Sequence, residues 1–351
     1  MDALHIVVAG AGGNIGAPLL GHLARMPEVA RLTLVDPDVY AADNVAVQNI
    51  EAADVGRPKV VAQAEKLNRI RADLEVAAIQ GRIEDVPRGL LRCDLFVGCL
   101  DSKLARQHLG NEVAWRLGVP WIDTGVLGSQ NLVRVSGYAP AENACCLECP
   151  WNPGRGGEYS LLEQEYLCGA VNGAGFKSMS SSALGALAAS LAAIEVAQFA
   201  RGEKPLRIAG EQVILDAEHR VVQVTKERRN PWCRFDHRVW TIAPWACGLA
   251  RTTVSEALQW FGSMQVDGHH FVSELVCPGC ARREISPRLN RPLARCAQCN
   301  RRMATAGFGA LERLDARVAG EFMHLTLAAA GLCAGDVVSN GFRHWQLVEE
   351  E

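Results

Sequence analysis

A glycine-rich turn between an apolar strand and a helix constrains this sequence more than any other feature. Leu4 to Ala9 is an apolar run that leads into the turn, and a helical pattern follows it. Glycines let the backbone approach an anion closely, and the unpaired N–H groups and dipole of a helix start favour phosphate. The turn therefore predicts a nucleotide-binding α/β domain with four glycines near the phosphates, namely Gly10, Gly12, Gly13 and Gly16.

Strands and helices alternate over the first part of the chain. Apolar runs predict strands at 31–35, 74–79, 94–100, 120–124 and 131–136, and helical spacing predicts helices over 60–70 and 104–117. This alternation is typical of a doubly wound, mostly parallel Rossmann-like sheet with its ligand site at the carboxyl ends of the strands. A hairpin is predicted over 207–226 and a short helix near 309–318.

The length of 351 residues exceeds what one hydrophobic core usually serves. We predict a nucleotide-binding domain over 1–245, with a crossover loop near 150–178, and a C-terminal domain over 246–351. A hydrophobic content of 49% excludes global disorder, and a net charge of −3 provides no basic excess to attract nucleic acid as a partner. The apolar stretch 180–200 carries Glu195 and Gln198, so we expect a buried helix, no membrane span and a cytoplasmic protein.

Three charged residues lie where a nucleotide site would need them. Asp36 ends the second strand, where a carboxylate can accept hydrogen bonds from ribose hydroxyls, or can simply cap a turn. Asp101 ends the fourth strand and can hold Mg²⁺ against a triphosphate, or cap the next helix. Lys59 opens a helix and can neutralise phosphates, although an isolated lysine is usually solvated.

Five segments together resemble the adenylation domain of the ThiF/MoeB and ubiquitin-activating-enzyme superfamily, over residues 4 to about 240. They are GAGGNIG, LVDPDVYAADNVAVQ, VGRPKVVAQAEKLN, VGCLDSKLARQHL and CLEC, in this order. The resemblance implies ATP bound with Mg²⁺, and attack on its α-phosphate by the C-terminal carboxylate of a ubiquitin-like protein. It also implies a homodimer.

The resemblance assigns further residues. Asp38 joins Asp36 at the ribose, Asn44 and Gln48 lie near the phosphates, Lys59 contacts the α-phosphate, and Arg106 is structural or faces a phosphate. The family usually has an arginine where this chain has Val47, so a cation near the γ-phosphate must come from another group.

Thirteen cysteines without a secretory signal indicate metal or thiol chemistry. Cys146 and Cys149 match half of the structural zinc site of the family, and Cys233 with His237 would complete it, with Asp236 or no fourth ligand as the alternative. The spacing of four later cysteines predicts a zinc ribbon: Cys277, Cys280, Cys296 and Cys299. The surrounding arginines could dock an acidic protein or nucleic acid, and the net charge of −3 favours protein docking.

Cys168 lies in the segment where thioester-forming members of the family place their cysteine. We therefore predict an enzyme that adenylates a ubiquitin-like protein, captures it as a thioester on Cys168 and passes it to a conjugating enzyme, as in a bacterial conjugation system. One alternative is a sulfur-carrier adenylyltransferase without the thioester. Another is a zinc-binding scaffold without turnover. A nicotinamide oxidoreductase is disfavoured, because the dinucleotide fingerprint expects its third glycine at Ile15.

Overall fold

The computed structural model describes residues 3–150, 180–202, 205–291, 295–307 and 309–350. The chain divides into two compact units. The first contains residues 1–84 and 93–239, and the second contains residues 85–92 and 240–351. A short segment between two strands of the first unit therefore belongs to the second unit. The predicted division of the chain into an adenylation domain and a docking domain stays a prediction.

The first unit is built on one large sheet. Its strands are β1 (Leu4–Ala9), β2 (Val29–Val35), β3 (Glu75–Ile79), β4 (Leu95–Gly98), β5 (Trp121–Leu127), β6 (Leu132–Tyr138), β7 (Glu211–Asp216) and β8 (Val221–Lys226). They lie in the order β3-β2-β1-β4-β5-β6-β7-β8. Strands β1 to β5 are parallel, and β6, β7 and β8 extend the sheet in antiparallel fashion. The predicted α/β class with a mostly parallel sheet is confirmed, and the strand order reverses beside β1, where such folds bind ligands.

Four α-helices accompany this sheet in the described part of the chain: α1 (Gly16–Leu23), α2 (Lys59–Ile70), α3 (Lys103–Gln107) and α4 (Ser182–Ala200). The helix predicted over 104–117 is α3 continued by a π-helical segment, His108–Trp115. In this segment Gly110 lies so close to Trp121 that a Cβ would come within 2.3 Å of the indole ring.

Helix α4 is a core helix of the first unit. It packs against α1, β5 and β6, and its buried alanines meet the apolar face of the sheet. By length and composition it is also the one helix in the described residues that could cross a membrane, with 44% of the apolar window buried. The core helices of soluble proteins pass the same test, so this observation is weak evidence for a span.

The second unit contains two smaller sheets and one helix, α5 (Val254–Phe261). Strands β9 (Ile242–Cys247), β10 (Ser263–Val266), β15 (Leu314–Asp315), β16 (Val337–Ser339) and β17 (His344–Glu349) form a sheet in the order β15-β10-β16-β17-β9. Strands β11 (Phe271–Val276), β12 (Arg283–Leu289), β13 (Ala304–Thr305) and β14 (Ala310–Leu311) form the other. Thr253 and Glu256 form a capping box at the start of α5, each side chain bonding the other residue's N–H.

The short helix predicted near 309–318 is wrong. This stretch contains β14 and β15, which pair with β11 and β10 respectively. Leu311 and Leu314 are spaced as on a helix, but Leu314 is fully buried in the core of the second unit as part of a strand. Pairing with strands that are distant in sequence therefore overrode the local helical pattern.

Candidate functional site

The glycine turn follows β1 and is held tightly between β2 and β4. Gly10 has a φ of +77°, and a Cβ there would lie 2.3 Å from the carbonyl oxygen of Cys99, which follows β4. Its N–H donates to the carbonyl of Val35 at 2.8 Å. Only glycine combines this backbone angle with this close approach. Gly10 therefore shapes the turn by fitting between two strands.

Gly12 is fixed on both sides by buried polar groups. Its N–H donates to Asp36 Oδ2 at 2.9 Å, and its carbonyl accepts a hydrogen bond from Tyr40 Oη at 3.0 Å. A Cβ on Gly12 would lie 2.3 Å from the Cβ of Lys59, at the start of α2. The N–H of Gly13 donates to the carbonyl of Gly10. The N–H groups of Gly10, Gly12 and Gly13 are thus used inside the protein.

The free donors lie one residue further along, at the start of α1. In residues 3–150 and the other described ranges, no acceptor receives a hydrogen bond from the N–H groups of Asn14, Ile15 or Gly16. Unpaired N–H groups at a helix start, with the positive end of the helix dipole, favour an anion. Sequence reasoning placed the phosphates against the glycines and missed Asn14 and Ile15. The position of the helix start was the signal that could have identified them.

Asp36 is buried at the end of β2. Besides binding Gly12, it accepts the N–H of Asp38 at 3.0 Å through Oδ1. Burial raises the pKa of Asp36 above its ordinary value. The charge of Lys59 and the two backbone hydrogen bonds that Asp36 accepts, from Asp38 and Gly12, oppose that shift. Asp36 therefore anchors the glycine turn, and its contact with a ribose stays a prediction.

Lys59 is the first residue of α2 and its side chain is 8% exposed. The ammonium binds Asp38 Oδ2 at 2.9 Å, and the Lys59 N–H donates to the Asp38 carbonyl at 2.9 Å. The Asp38 side chain is 61% exposed. The structure thus brings Lys59, Asp36 and Asp38 together around Gly12, with a cation at the base of the turn.

Asn44 and Gln48 lie in the segment that follows β2. Asn44 Oδ1 accepts the N–H of Ala41 at 2.9 Å and so caps its own turn, which leaves its amide NH₂ as the donor for a ligand. Gln48 donates its backbone N–H to the Asn44 carbonyl. Its side-chain Oε1 is buried and has no hydrogen-bond partner among the described residues. Their predicted contacts with phosphates stay predictions.

Asp101 lies exposed just beyond β4, next to Ser102, whose hydroxyl accepts the N–H of Ala105 at the start of α3. The capping role belongs to Ser102, so Asp101 remains available as an oxygen ligand for Mg²⁺, which is a fitting donor type. Arg106, in α3, forms two hydrogen bonds with the fully buried carboxylate of Asp123 on β5. The predicted role of Arg106, structural or facing a phosphate, stays a prediction.

Cys168 lies outside the described residues. So does the predicted loop near 150–178, apart from residue 150. The chain is described again from Ser180, at the start of α4. There Asn14 Nδ2 donates to Ser180 Oγ at 3.2 Å and to the Ser181 carbonyl at 3.1 Å. The absence of a side chain at Gly185 makes room for Asn14. The nucleotide turn is thus tied to the start of α4.

Four predicted metal ligands of the first unit lie together. The ligand atoms of Cys146, Cys149, Cys233 and His237 are all within 4.8 Å of one another. His237 Nδ1 hydrogen-bonds the carbonyl of Phe235 at 2.6 Å, which directs Nε2 at Cys149 Sγ, 3.2 Å away. Three thiols and an imidazole fixed in this way are a donor set that suits zinc. Asp236 instead pairs with Arg116.

The second cluster, Cys277, Cys280, Cys296 and Cys299, has the same compactness. Its two halves repeat one geometry. In each half, the residue that follows the second cysteine has a φ of 57° and donates its N–H to the carbonyl of the first cysteine. These residues are Ala281, which donates to Cys277, and Asn300, which donates to Cys296. The four sulfurs can hold a tetrahedral zinc ion. The identification of a zinc ribbon stays a prediction.

The comparisons with known proteins agree with this geometry. The model of the ThiF family matches residues 1–235. This chain belongs to the ThiF family. The resemblance inferred from the five sequence segments is thereby confirmed.

Individual relatives are more distant. The chain is 27% identical over 149 residues to the sulfur carrier protein ThiS adenylyltransferase of Escherichia coli, covering 42% of this chain and 57% of that protein. The solved structure of E. coli MccB with ATP is 19% identical, with a TM-score of 0.54 and coverage of 67% of both chains. That of MccB with MccA is 20% identical, with a TM-score of 0.53 and coverage of 66% of both. The structural likeness shows a shared fold.

Proposed function

We propose that this ThiF-family chain uses ATP to adenylate the C-terminal carboxylate of a small carrier protein or peptide. The observation that carries the proposal is the turn after β1, where the Lys59 side chain lies against Gly12 and no acceptor among the described residues receives the N–H groups of Asn14, Ile15 and Gly16. The match to a ThiS adenylyltransferase supports a carrier protein as substrate, and the fold shared with MccB, solved with MccA, supports a peptide.

The residues act mainly by positioning two anions and by reducing their repulsion. The N–H groups of Asn14, Ile15 and Gly16 bind phosphate oxygens, and Lys59 exchanges its contact with Asp38 for one with the α-phosphate. The substrate carboxylate then attacks the α-phosphorus and pyrophosphate leaves, giving an acyl-adenylate. Mg²⁺ bound by Asp101 would neutralise part of the phosphate charge.

The finer prediction adds a thioester on Cys168 and transfer to a conjugating enzyme. It rests on the sequence context of Cys168. The ThiS adenylyltransferase match favours the simpler reaction, in which the adenylate is handed to a sulfur donor or another nucleophile without this thioester. A homodimer is likewise proposed from the family resemblance.

ATP–pyrophosphate exchange tests the proposal directly. The chain is incubated with ATP, Mg²⁺ and each of three substrates: a ThiS-type carrier, an MccA-type peptide and a ubiquitin-like protein. We expect exchange with at least one of them, and none when its C-terminus is amidated. Asp101→Asn should abolish exchange. Asp73→Asn is the matched control, because Asp73 is 86% exposed and precedes the amino end of β3, whereas Asp101 follows the carboxyl end of β4.

Intact-mass measurement without reductant then separates the finer alternatives. A thiol-labile adduct that disappears in Cys168→Ala establishes the thioester. Equal acyl-adenylate formation in both proteins makes Cys168 a bystander. Absence of exchange with every substrate, in a protein that still binds its metal, favours the scaffold.

A further inference from the structure

Two arginines from different elements share one buried carboxylate in the first unit. Asp123 on β5 is fully buried, and Arg106 from α3 binds it through two hydrogen bonds. Arg134 on β6 approaches the same carboxylate, with Nη2 at 2.7 Å from Oδ2. Gly125 lies opposite Arg134 in the strand pair, and its missing side chain leaves room for the guanidinium.

The charges in this cluster do not balance. Burial alone would raise the pKa of Asp123, but the charges of Arg134 and Arg106 hold it below its ordinary value, so the carboxylate is ionised. One negative charge therefore faces two positive ones. Among the described residues no second carboxylate forms an ion pair with either arginine. An excess charge in a largely buried site is costly unless an anion compensates it.

The two arginines of the cluster are partly exposed. The side chains of Arg106 and Arg134 are 21% and 22% exposed, whereas Asp123 is fully buried beneath them. Arg134 also reaches Ser136 Oγ at 3.4 Å, which fixes the orientation of its guanidinium. Two oriented guanidinium groups at the edge of a buried site can each donate a charged hydrogen bond to an oxyanion.

The position of the cluster matches the proposed reaction. Asp123 pairs with Gly98, the last residue of β4, and Arg106 is in the helix that begins two residues after Asp101. The cluster thus lies at the same edge of the sheet as the Mg²⁺ ligand and the glycine turn.

We propose that Arg106 and Arg134, held in place by Asp123, form a binding site for the carboxylate of the acyl substrate. The site rests on the proposed adenylation reaction, and Asp123 is a positioning residue in it. The phosphate oxygens of ATP share the same oxyanion chemistry, so the test must separate the two ligands. Binding the carboxylate through one oxygen would leave the other free to attack phosphorus.

The probe is a synthetic peptide ending in Gly-Gly, prepared as the free acid and as the amide, with a non-hydrolysable ATP analogue present. Charged hydrogen bonds predict that the acid binds about tenfold or more tightly than the amide to the wild-type chain. Arg134→Gln should abolish this preference, and Arg134→Lys should keep part of it. ATP affinity, measured by calorimetry without peptide, should stay unchanged in both variants.

Arg291→Gln is the matched control, because it removes an arginine from a comparably buried pair with Asp336 in the second unit. It should leave the acid preference intact. Arg134→Gln should also fold, since it leaves a balanced Arg106–Asp123 pair, and thermal unfolding checks this.

Equal binding of acid and amide to the wild type, or no binding of either, overturns the proposed site. An unchanged preference in Arg134→Gln overturns it as well, and weakened ATP binding in that variant assigns the cluster to phosphate. A clear acid preference without any pyrophosphate exchange would retain the site and reject the adenylation reaction.

Discussion

Gly12 shows how much a single residue of the nucleotide turn is constrained. Its N–H, its carbonyl and the space where a Cβ would lie are all occupied, by Asp36, Tyr40 and Lys59 respectively. Gly13 differs, because the nearest atom to a Cβ there is the Gly10 carbonyl oxygen at 3.4 Å. Two adjacent glycines therefore have different reasons to be glycine.

This difference gives a matched pair of variants. Gly12→Ala would place a methyl group against the Lys59 side chain, so we expect a loss of about 1–3 kcal/mol in the free energy of unfolding. We also expect weaker ATP binding, because Lys59 must move. Gly13→Ala should change both far less. Denaturant unfolding and calorimetric ATP binding measure the two effects, and equal losses in the two variants would contradict the assigned contacts.

The Lys59 side chain lies against Gly12 of the turn, and Lys66 offers a comparison on the same helix. Lys66 binds Asp54 at 2.6 Å, in an ion pair of similar geometry. Lys59→Met should reduce pyrophosphate exchange by about tenfold or more, since a charge-assisted contact with phosphate is lost. Lys66→Met should affect stability alone. If both variants lose exchange equally, Lys59 has no special role at the nucleotide.

At the scale of elements, each of the two compact cysteine clusters joins two separate segments of the chain. The first connects the turn after β6 with the segment after β8, and the second connects the turns that flank β12. Metal binding by such clusters contributes directly to folding, because the unfolded chain does not present the ligands together.

We expect two zinc ions per chain when metal content is measured by mass spectrometry. Cys233→Ser and Cys277→Ser should each leave one zinc ion, and the double variant should leave none. Each loss should lower the thermal midpoint of the unit that contains the cluster, because a structural zinc ion stabilises the folded form. Cys93→Ser is a control, since Cys93 lies outside both clusters. A full zinc content in either single variant would show that the assigned ligands are wrong.

At the scale of the whole molecule, the chain is interleaved between its two units. The segment 85–92 follows the first unit's β3 and precedes its β4, yet belongs to the second unit. There Arg88 pairs with Asp267 and lies 4.8 Å from the ring of Trp240, and Gly89 donates its N–H to the carbonyl of Gly335 at 2.8 Å. Residues 240–351 alone therefore lack part of the second unit, namely the segment 85–92.

This interleaving predicts the behaviour of fragments. A fragment of residues 240–351 should unfold with little cooperativity, because it lacks Arg88 and leaves Asp267 without this partner. Joining residues 85–92 to it through a flexible linker should restore a cooperative transition in circular dichroism. The same fusion with Arg88→Ala should not. Cooperative unfolding of the bare fragment would show that the segment is dispensable.

Local patterns determined much of this protein. The bounds of β1, the start of α2 and the second cysteine cluster follow from periodicity and spacing in the sequence, because each depends on residues near one another in the chain. The first cysteine cluster follows from the family resemblance instead, and it joins Cys146 to Cys233, 87 residues further along. The glycine turn likewise indicated the edge of the sheet where the candidate site lies.

Only the tertiary structure decided which atoms are free at that site. Asp36 accepts the N–H of Gly12, so the N–H groups without an acceptor among the described residues are those of Asn14, Ile15 and Gly16. Arg134 joins Arg106 at Asp123, and the segment 85–92 joins a unit that begins far along the chain. The strands β14 and β15, found where a helix was expected near 309–318, likewise depend on pairing with the distant strands β11 and β10. These contacts join residues distant in sequence, and hydrophobic periodicity carries no information about such partners.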